Sequence, residues 1–242
     1  MLLNLPNVTP LTTDKRHIFI CGCGHSGTTL LAAKLALATD ALLIARETNA
    51  FLPEVGAYCA KRIVIEWNYF ANWADKDFII EKTPKHVHCI PRIAKVLPSA
   101  KIVLITRNPL DTIASLYKRL GSIEAATHRW RIDTEAAVNA QKYANTILVK
   151  YEDLICSPHH EFGRVSKFCG LRWHPSYLGL NSTGYDSVSQ KGNMINRAEQ
   201  VRGKIRNNIG GWKDVLTESQ VHYIVRYTSS AASKAGYKNC VK

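Results

Sequence analysis

Residues 17–29 read HIFICGCGHSGTT, and this stretch decides the fold class. It opens with a short apolar run at 17–21 that predicts a buried strand, and then passes through three glycines. Residues 28–39 follow, where leucines among alanines predict a helix. Backbone N–H groups of such a strand-to-helix loop converge on an anion at the positive end of the helix. The stretch therefore predicts a phosphate-binding loop; the alternative is a tight turn that needs its glycines only for steric reasons.

Four further apolar segments predict strands that alternate with helices along the rest of the chain. The strands are predicted at 41–45, 78–80, 101–106 and 146–150, and the helices at 55–73, 85–97, 109–120, 123–143, 158–168 and 218–235. The segment 101–106, KIVLIT, is nearly continuously apolar, as a strand buried on both faces should be. Residues 172–211 are polar with little periodicity and predict a long loop. The alternation predicts a single α/β domain over 1–242, with three layers and a central, mainly parallel sheet of about five strands flanked by helices.

The composition is that of a water-soluble globular protein, with 46% hydrophobic and 21% charged residues. The 32 Lys and Arg residues exceed the 19 Asp and Glu residues and give a net charge of +13, which favours anionic partners. Nucleic acid, an acidic glycan and a phosphorylated cofactor all fit this charge. Basic residues are not interleaved with aromatic ones as in base-stacking surfaces, so we expect no specific nucleic-acid partner.

Seven cysteines at irregular spacings argue against a disulfide framework, and no ligand set at metal spacing is present, so we expect no metal. The chain also lacks an apolar run of membrane-spanning length and a signal-like opening. We therefore expect no membrane span and a cytoplasmic protein, with a lumenal fragment of a longer chain as the alternative. Nothing in the sequence indicates an oligomeric state.

The glycine loop comprises Gly24, His25, Ser26, Gly27, Thr28 and Thr29. It resembles the nucleotide P-loop GxxxxGK[ST], except that Thr28 stands at the lysine position. Kinases and nucleotide hydrolases use that lysine on the β/γ-phosphates, so its absence counts against their chemistry. A P-loop kinase-like phosphotransferase stays an alternative, because Glu81 ends the 78–80 strand as an acidic residue does in those enzymes.

The same loop is similar to the [KR]SGTT loop of sulfotransferases that use 3′-phosphoadenosine 5′-phosphosulfate (PAPS). A second signature of that family, an Arg-x-Pro after a strand and a Ser eight residues after the Arg, is matched by Arg107, Pro109 and Ser115. Arg119 lies one helical turn further on. The resemblance implies that Arg107, Ser115 and Arg119 form a 3′-phosphate clamp, a name we keep for these three residues.

Further matches occur in the same order as in the glycan and tyrosylprotein branches of the family. Glu47 stands where these branches place the catalytic base, and Lys82 belongs to an EKTP segment whose Lys points into the active site. Tyr151 opens a YEDL segment near the nucleotide, and Arg206 begins RNNIGGWK, which resembles a closing loop with a basic residue for the 3′-phosphate. Glu54, which lies nearby in the sequence, is the alternative candidate for the catalytic base.

The resemblance implies a P-loop-like fold and transfer of the sulfuryl group of PAPS to a hydroxyl of a carbohydrate or other alcohol or phenol. The reaction is an in-line displacement that releases adenosine 3′,5′-bisphosphate (PAP) and needs no metal. Glu47 is the expected base, and Lys82 and His25 are expected to stabilise the leaving group. EKTP favours a glycan acceptor. His25 replaces the usual Arg or Lys and titrates near neutral pH, so a non-catalytic nucleotide- or anion-binding relative is a further alternative.

Overall fold

The computed structural model describes residues 9–38, 40–181, 201, 205 and 207–237. Its centre is one parallel sheet of five strands in the order β2-β3-β1-β4-β5. The strands are β1 (Arg16–Gly22), β2 (Ala41–Ile44), β3 (Phe78–Lys82), β4 (Lys101–Thr106) and β5 (Thr146–Lys150). The five predicted strands and their parallel arrangement are thereby confirmed, and the carboxyl ends of all five strands lie along one edge.

Helices cover both faces of this sheet, which confirms the predicted three-layer α/β fold. They are α1 (Thr28–Leu35), α2 (Ala57–Trp73), α3 (Ile90–Val96), α4 (Pro109–Leu120), α5 (Ile123–Ala140), α6 (Tyr151–Cys156), α7 (Pro158–Cys169) and α8 (Glu218–Lys234). Side chains of successive strand residues point to opposite faces. Phe19 of β1 therefore joins a core with α2, α3 and α5, while Ile18 and Ile20 join a second core with α1 and α7.

A third core lies at the carboxyl edge, where Cys23 and Trp130 pack among residues of α4, α5 and α8. Cys23 directly precedes the glycine loop, and Trp130 is completely buried in the middle of α5. The start of α4 packs into the same cluster through Leu110 and Ile113. This core gives the loop and the start of α4 a rigid support.

Two local predictions differ from the structure. The helix expected at 85–97 is a 3-10 helix, Pro84–His88, followed by α3. Pro91 has no N–H group for a helical hydrogen bond, so one α-helix cannot run through it unbroken. Helix α6 was not expected, because six residues are too few to show a helical period. The long loop predicted at 172–211 contains a 3-10 helix, Pro175–Gly179, and its residues 182–200, 202–204 and 206 lie outside the described part of the chain.

Candidate active site

The glycine loop joins the central strand β1 to α1 through a tight turn. His25 and Gly27 both have positive φ angles, of 67° and 91°. Gly27 is the N-cap of α1 and is required by packing, because a Cβ at this position would lie 2.5 Å from Cδ2 of Tyr151. No side chain caps the first turn of α1. The loop therefore presents main-chain N–H groups and the positive end of α1 at the sheet edge, as an anion site requires.

Two buried polar atoms beside this loop lack a hydrogen-bond partner among the described residues. They are Oγ of Ser26, which is fully buried, and Nε of Arg107, whose residue is 9% exposed. An unsatisfied buried polar group costs about 1–3 kcal/mol. A bound anion would supply the missing acceptor for the guanidinium N–H and for the hydroxyl.

Arg107 follows β4 directly and is held by three groups. Its Nη1 donates to the carbonyl of His25 at 3.2 Å, and its Nη2 donates to the carbonyl of Asn208 at 2.6 Å. The guanidinium carbon lies 4.3 Å from the centre of the Tyr151 ring. Burial raises the pKa of Tyr151, although the charge of Arg107 acts in the opposite direction. Arg107 and Tyr151, which the resemblance placed separately near the nucleotide, are thus in contact.

The side chain of His25 reaches from the glycine loop to the clamp. Its Nδ1 lies 2.8 Å from Oγ of Ser115, which sits on the second turn of α4. Arg119 is one turn further along α4 and is exposed. The structure therefore brings His25, Arg107 and Ser115 together and leaves Arg119 exposed on α4. Arg206 lies outside the described residues.

Thr28 and Thr29 begin α1, and only Thr28 is buried.

Further along the chain, the carboxylate of Asp111 fixes the segment that contains the predicted closing loop. Asp111 lies in the first turn of α4 and is buried. Its two oxygens accept the N–H groups of Gly210, at 2.9 Å, and of Trp212, at 3.2 Å. These two hydrogen bonds hold the 210–212 turn against α4, the helix that carries Ser115.

Glu47 and Lys82 form an ion pair at the carboxyl ends of β2 and β3. The Nζ of Lys82 lies 2.9 Å from Oε1 of Glu47, and the two side chains are 1% and 31% exposed, respectively. Burial of an ammonium group is tolerated only with a charged or polar partner of this kind. Glu54, the alternative candidate for the base, is exposed in a 3-10 helix, Pro53–Val55.

Glu81 precedes Lys82 and is occupied by internal hydrogen bonds. One oxygen accepts the hydroxyls of Thr83, at 2.5 Å, and Thr48, at 2.9 Å, and the other lies 3.0 Å from Nδ1 of His86. Burial alone would raise its pKa, but the His86 ring and these hydroxyls outweigh burial and lower the pKa of Glu81. Glu81 therefore holds the segment after Glu47, and both of its oxygens are engaged inside the protein.

A cluster that the sequence did not indicate surrounds Asp133 of α5. This fully buried carboxylate contacts Nε2 of His88 at 2.6 Å and Nε of Arg129 at 2.5 Å. Burial and the nearby Asp133 raise the pKa of the Cys23 thiol well above its usual value. Only the i, i+4 spacing of Arg129 and Asp133 could have been read from sequence. The cluster joins α5 to the start of the glycine loop.

The described residues contain no group of three or more His, Cys, Asp or Glu side chains that could hold a metal ion. None of the six cysteines in the described part of the chain forms a disulfide. No helix within the same residues is both long enough and apolar enough to cross a membrane.

A family model described as the sulfotransferase family matches residues 60–175. This range includes Lys82, Arg107, Ser115 and Tyr151, whereas the glycine loop and Glu47 precede it. No curated protein gives a significant match to the chain.

Solved sulfotransferase structures share the fold over nearly the whole chain. The sulfotransferase domain of the Synechococcus PCC 7002 olefin synthase is 17% identical, with a TM-score of 0.67 over 97% of this chain and 98% of that one. The sulfotransferase domain from the curacin biosynthetic pathway is 15% identical, with a TM-score of 0.65 over 95% and 99%. Mouse sulfotransferase SULT7A1, complexed with PAP, is 14% identical, with a TM-score of 0.54 over 95% and 91%.

At these identities the solved structures establish a common fold, and the family match covers the segment that carries the clamp and the EKTP lysine. Together they confirm the predicted resemblance to sulfotransferases and the predicted class of enzyme.

Proposed function

We propose that the chain transfers the sulfuryl group of PAPS to a hydroxyl acceptor. The observation that carries this proposal is the contact between the glycine loop and the clamp, made by His25 with Ser115 and Arg107. Two anion-binding groups side by side fit a nucleotide with one phosphate at the 5′ position and another at the 3′ position. Mouse SULT7A1, which has the same fold, was solved with PAP, and this supports the same nucleotide class.

On the donor side, the loop N–H groups and the hydroxyl of Ser26 would bind the 5′-phosphosulfate. Arg107 would bind the 3′-phosphate through the Nε–H group that has no partner among the described residues, with Ser115 beside it. Charge-assisted hydrogen bonds of this type are about twice as strong as neutral ones. His25 lies between the two sites and would add positive charge when its ring is protonated.

On the acceptor side, the substrate oxygen forms a bond to sulfur while the bond from sulfur to the 5′-phosphate oxygen breaks. The proton of the attacking hydroxyl passes to Glu47, and PAP leaves with the bond electrons. Glu47 is bound to Lys82 at 2.9 Å before the donor arrives. The sulfuryl oxygens offer Lys82 a second anionic partner, which would release Glu47 to act as the base and leave Lys82 to stabilise the leaving group.

Kinase-like chemistry is disfavoured by the environment of Glu81. A P-loop kinase needs an acidic residue at the end of a strand to bind Mg²⁺ and a lysine in the loop to contact the phosphates. Both carboxylate oxygens of Glu81 are already engaged by Thr48, Thr83 and His86, and Thr28 replaces the lysine. The kinase-like alternative therefore lacks both of its key groups.

The acceptor class that we propose is a hydroxyl compound. The expected glycan preference rests on the EKTP segment alone and gains no support from the matched structures, which include domains of an olefin synthase and of the curacin pathway. A panel of glycans, aliphatic alcohols and phenols, assayed with labelled sulfate donor, separates these classes. Transfer to none of them would contradict the proposed activity.

The donor is tested by calorimetry with PAP and with ATP·Mg²⁺. We expect PAP to bind and ATP·Mg²⁺ to bind far more weakly. The variant Arg107→Ala should weaken PAP binding by about 1.5–3 kcal/mol, the range for a charge-assisted hydrogen bond, and Ser115→Ala should cost less. Preference for ATP·Mg²⁺, or unchanged PAP affinity in Arg107→Ala, would contradict the assignment.

A further inference from the structure

The turn that carries Arg107 is held at each of its three residues by a different distant side chain. Nε1 of Trp130 donates to the carbonyl of Arg107 at 3.0 Å. Oε1 of Glu152 accepts the N–H group of Asn108 at 2.8 Å. The hydroxyl of Tyr237 lies 3.2 Å from Oγ1 of Thr106. These contacts fix the main chain at Arg107 and at the residues on both sides of it.

Glu152 joins two of these supports into one network. Its second oxygen, Oε2, accepts the hydroxyl of Tyr237 at 3.0 Å, so one carboxylate contacts both sides of Arg107. Burial, and next the charge of Glu152, raise the pKa of Tyr237 well above its usual value, so this hydroxyl keeps the proton that it donates. The residue before Glu152 is Tyr151, whose ring faces the guanidinium group of Arg107.

A carboxylate beside a phosphate site repels the ligand, and an ion pair between that carboxylate and Arg107 would also reduce the positive charge that Arg107 offers to the phosphate. Glu152 directs its two oxygens at a main-chain N–H group and a phenol, and it forms no ion pair with Arg107 in the described residues. The guanidinium group instead donates to two carbonyls, which leaves its charge available to an anion. The arrangement fixes the position of Arg107 without neutralising it.

We propose that Glu152 is a positioning residue that, with Tyr237, fixes the Arg107 turn for recognition of the donor's 3′-phosphate. The proposal rests on the donor proposed above. It assigns a role to the Glu of the YEDL segment and to a tyrosine near the end of the sequence. Their contribution should appear in the preference for PAP over adenosine 5′-phosphate (AMP), because the two nucleotides differ only in the 3′-phosphate.

The test compares the affinities for PAP and AMP by calorimetry in the wild type, Glu152→Ala, Glu152→Gln and Tyr237→Phe. Glu152→Ala should lower the PAP-to-AMP affinity ratio about tenfold while AMP affinity stays within about twofold. Glu152→Gln should restore most of the ratio, because an amide can accept from Asn108 and donate to Tyr237. Tyr237→Phe should lower the ratio by a smaller factor, and it tests the proposal independently should Glu152→Ala fail to fold.

Two further variants separate positioning from a general loss of structure. Asp153→Ala removes the adjacent, exposed carboxylate of α6 and should leave the ratio unchanged. In the double variant Arg107→Ala, Glu152→Ala the ratio should be no lower than in Arg107→Ala alone, because Glu152 acts through Arg107. The proposal is overturned if Glu152→Ala keeps the wild-type ratio, if both affinities fall equally, or if the two losses simply add. A wild type without preference for PAP would instead contradict the proposed donor.

Discussion

At the scale of single residues, the ion pair between Glu47 and Lys82 determines what removal of the carboxylate should do. Glu47→Gln keeps the shape of the side chain but abolishes its basicity, so we expect turnover to fall by about 10² or more. PAP affinity should be retained, because Arg107 and the glycine loop are unchanged. Steady-state kinetics and calorimetry measure the two quantities.

Glu54→Gln is the matched control for this prediction, since Glu54 is exposed on the neighbouring 3-10 helix. It should keep full turnover. The thermal midpoint of Glu47→Gln must also be compared with that of the wild type, because the substitution withdraws a negative charge from the buried Lys82. If Glu54→Gln loses turnover while Glu47→Gln keeps it, the base is Glu54.

His25 gives the site a pH dependence that an Arg or Lys at this position would not have. Its ring contacts Ser115, so a positive charge on the ring would act at the clamp as well as at the glycine loop. A histidine loses its charge as the pH rises through the neutral range, and loss of a positive charge weakens anion binding. We therefore expect PAP affinity to decline with rising pH in the wild type relative to His25→Arg, whose charge does not titrate.

The wild type, His25→Arg and a further variant, His25→Ala, also test the role of His25 in turnover. At saturating donor the wild type should show a bell-shaped profile, in which Glu47 sets the acid limb and His25 the alkaline limb. His25→Arg should move the alkaline limb upward, and His25→Ala should lose turnover throughout. Identical alkaline limbs in the wild type and His25→Arg would mean that Lys82 or Arg206 stabilises the leaving group.

At the scale of secondary-structure elements, we expect the loop between β1 and α1 to tolerate an alanine at one glycine without loss of stability and not at another. Gly27 has a positive φ, and a Cβ there would lie 2.5 Å from Tyr151. We expect Gly27→Ala to lower the free energy of unfolding by about 2 kcal/mol or more, through backbone strain and overpacking.

Gly24 is the matched control within the same loop. A Cβ at Gly24 meets no atom within 4 Å, so Gly24→Ala should change the free energy of unfolding little. Urea denaturation measures both variants. Because the ring of Tyr151 faces Arg107, Gly27→Ala should also weaken PAP binding. Equal stabilities of the two variants would show that the close approach of Gly27 to Tyr151 does not constrain the loop.

Elements whose own residues form a recognisable pattern could be predicted from the sequence. The apolar run of β4 and the glycines after β1 specify their own structure through burial and backbone conformation. The side chains that orient the site could not be predicted, because their partners are remote. Glu152 and Tyr237 are 85 positions apart, and His88 and Asp133 are 45 positions apart. No periodicity links such pairs, and only the tertiary fold brings them together.

At the scale of the whole molecule, the strand order explains why the glycine loop and the segment of Arg107 meet at one edge of the sheet. The chain places β3 on one side of β1 and β4 on the other, which makes β1 the switch point of the sheet. Ligands of open parallel sheets bind at the carboxyl ends of the strands beside such a point. His25 after β1 and Arg107 after β4 are 82 positions apart and yet share a hydrogen bond.

The stability of the whole fold should depend on pH through one buried residue far from this edge. His17 lies near the amino end of β1 and is 3% exposed. Burial lowers its pKa from 6.5 to about 4. Between these two values the unfolded chain binds a proton that the folded chain rejects, so acid favours unfolding. The resulting contribution to stability is fully present above about pH 6.5 and is lost as the pH falls toward 4.

From pH 7 to pH 5 this residue alone should lower the free energy of unfolding by about 2 kcal/mol. His17→Gln has no titrating ring, so its stability should fall by correspondingly less over the same interval, whatever its stability at pH 7. His159→Gln, which removes an exposed histidine, should keep the wild-type difference. Urea denaturation of the three proteins at both pH values measures the effect. An equal drop in the wild type and His17→Gln would mean that other groups cause the acid sensitivity.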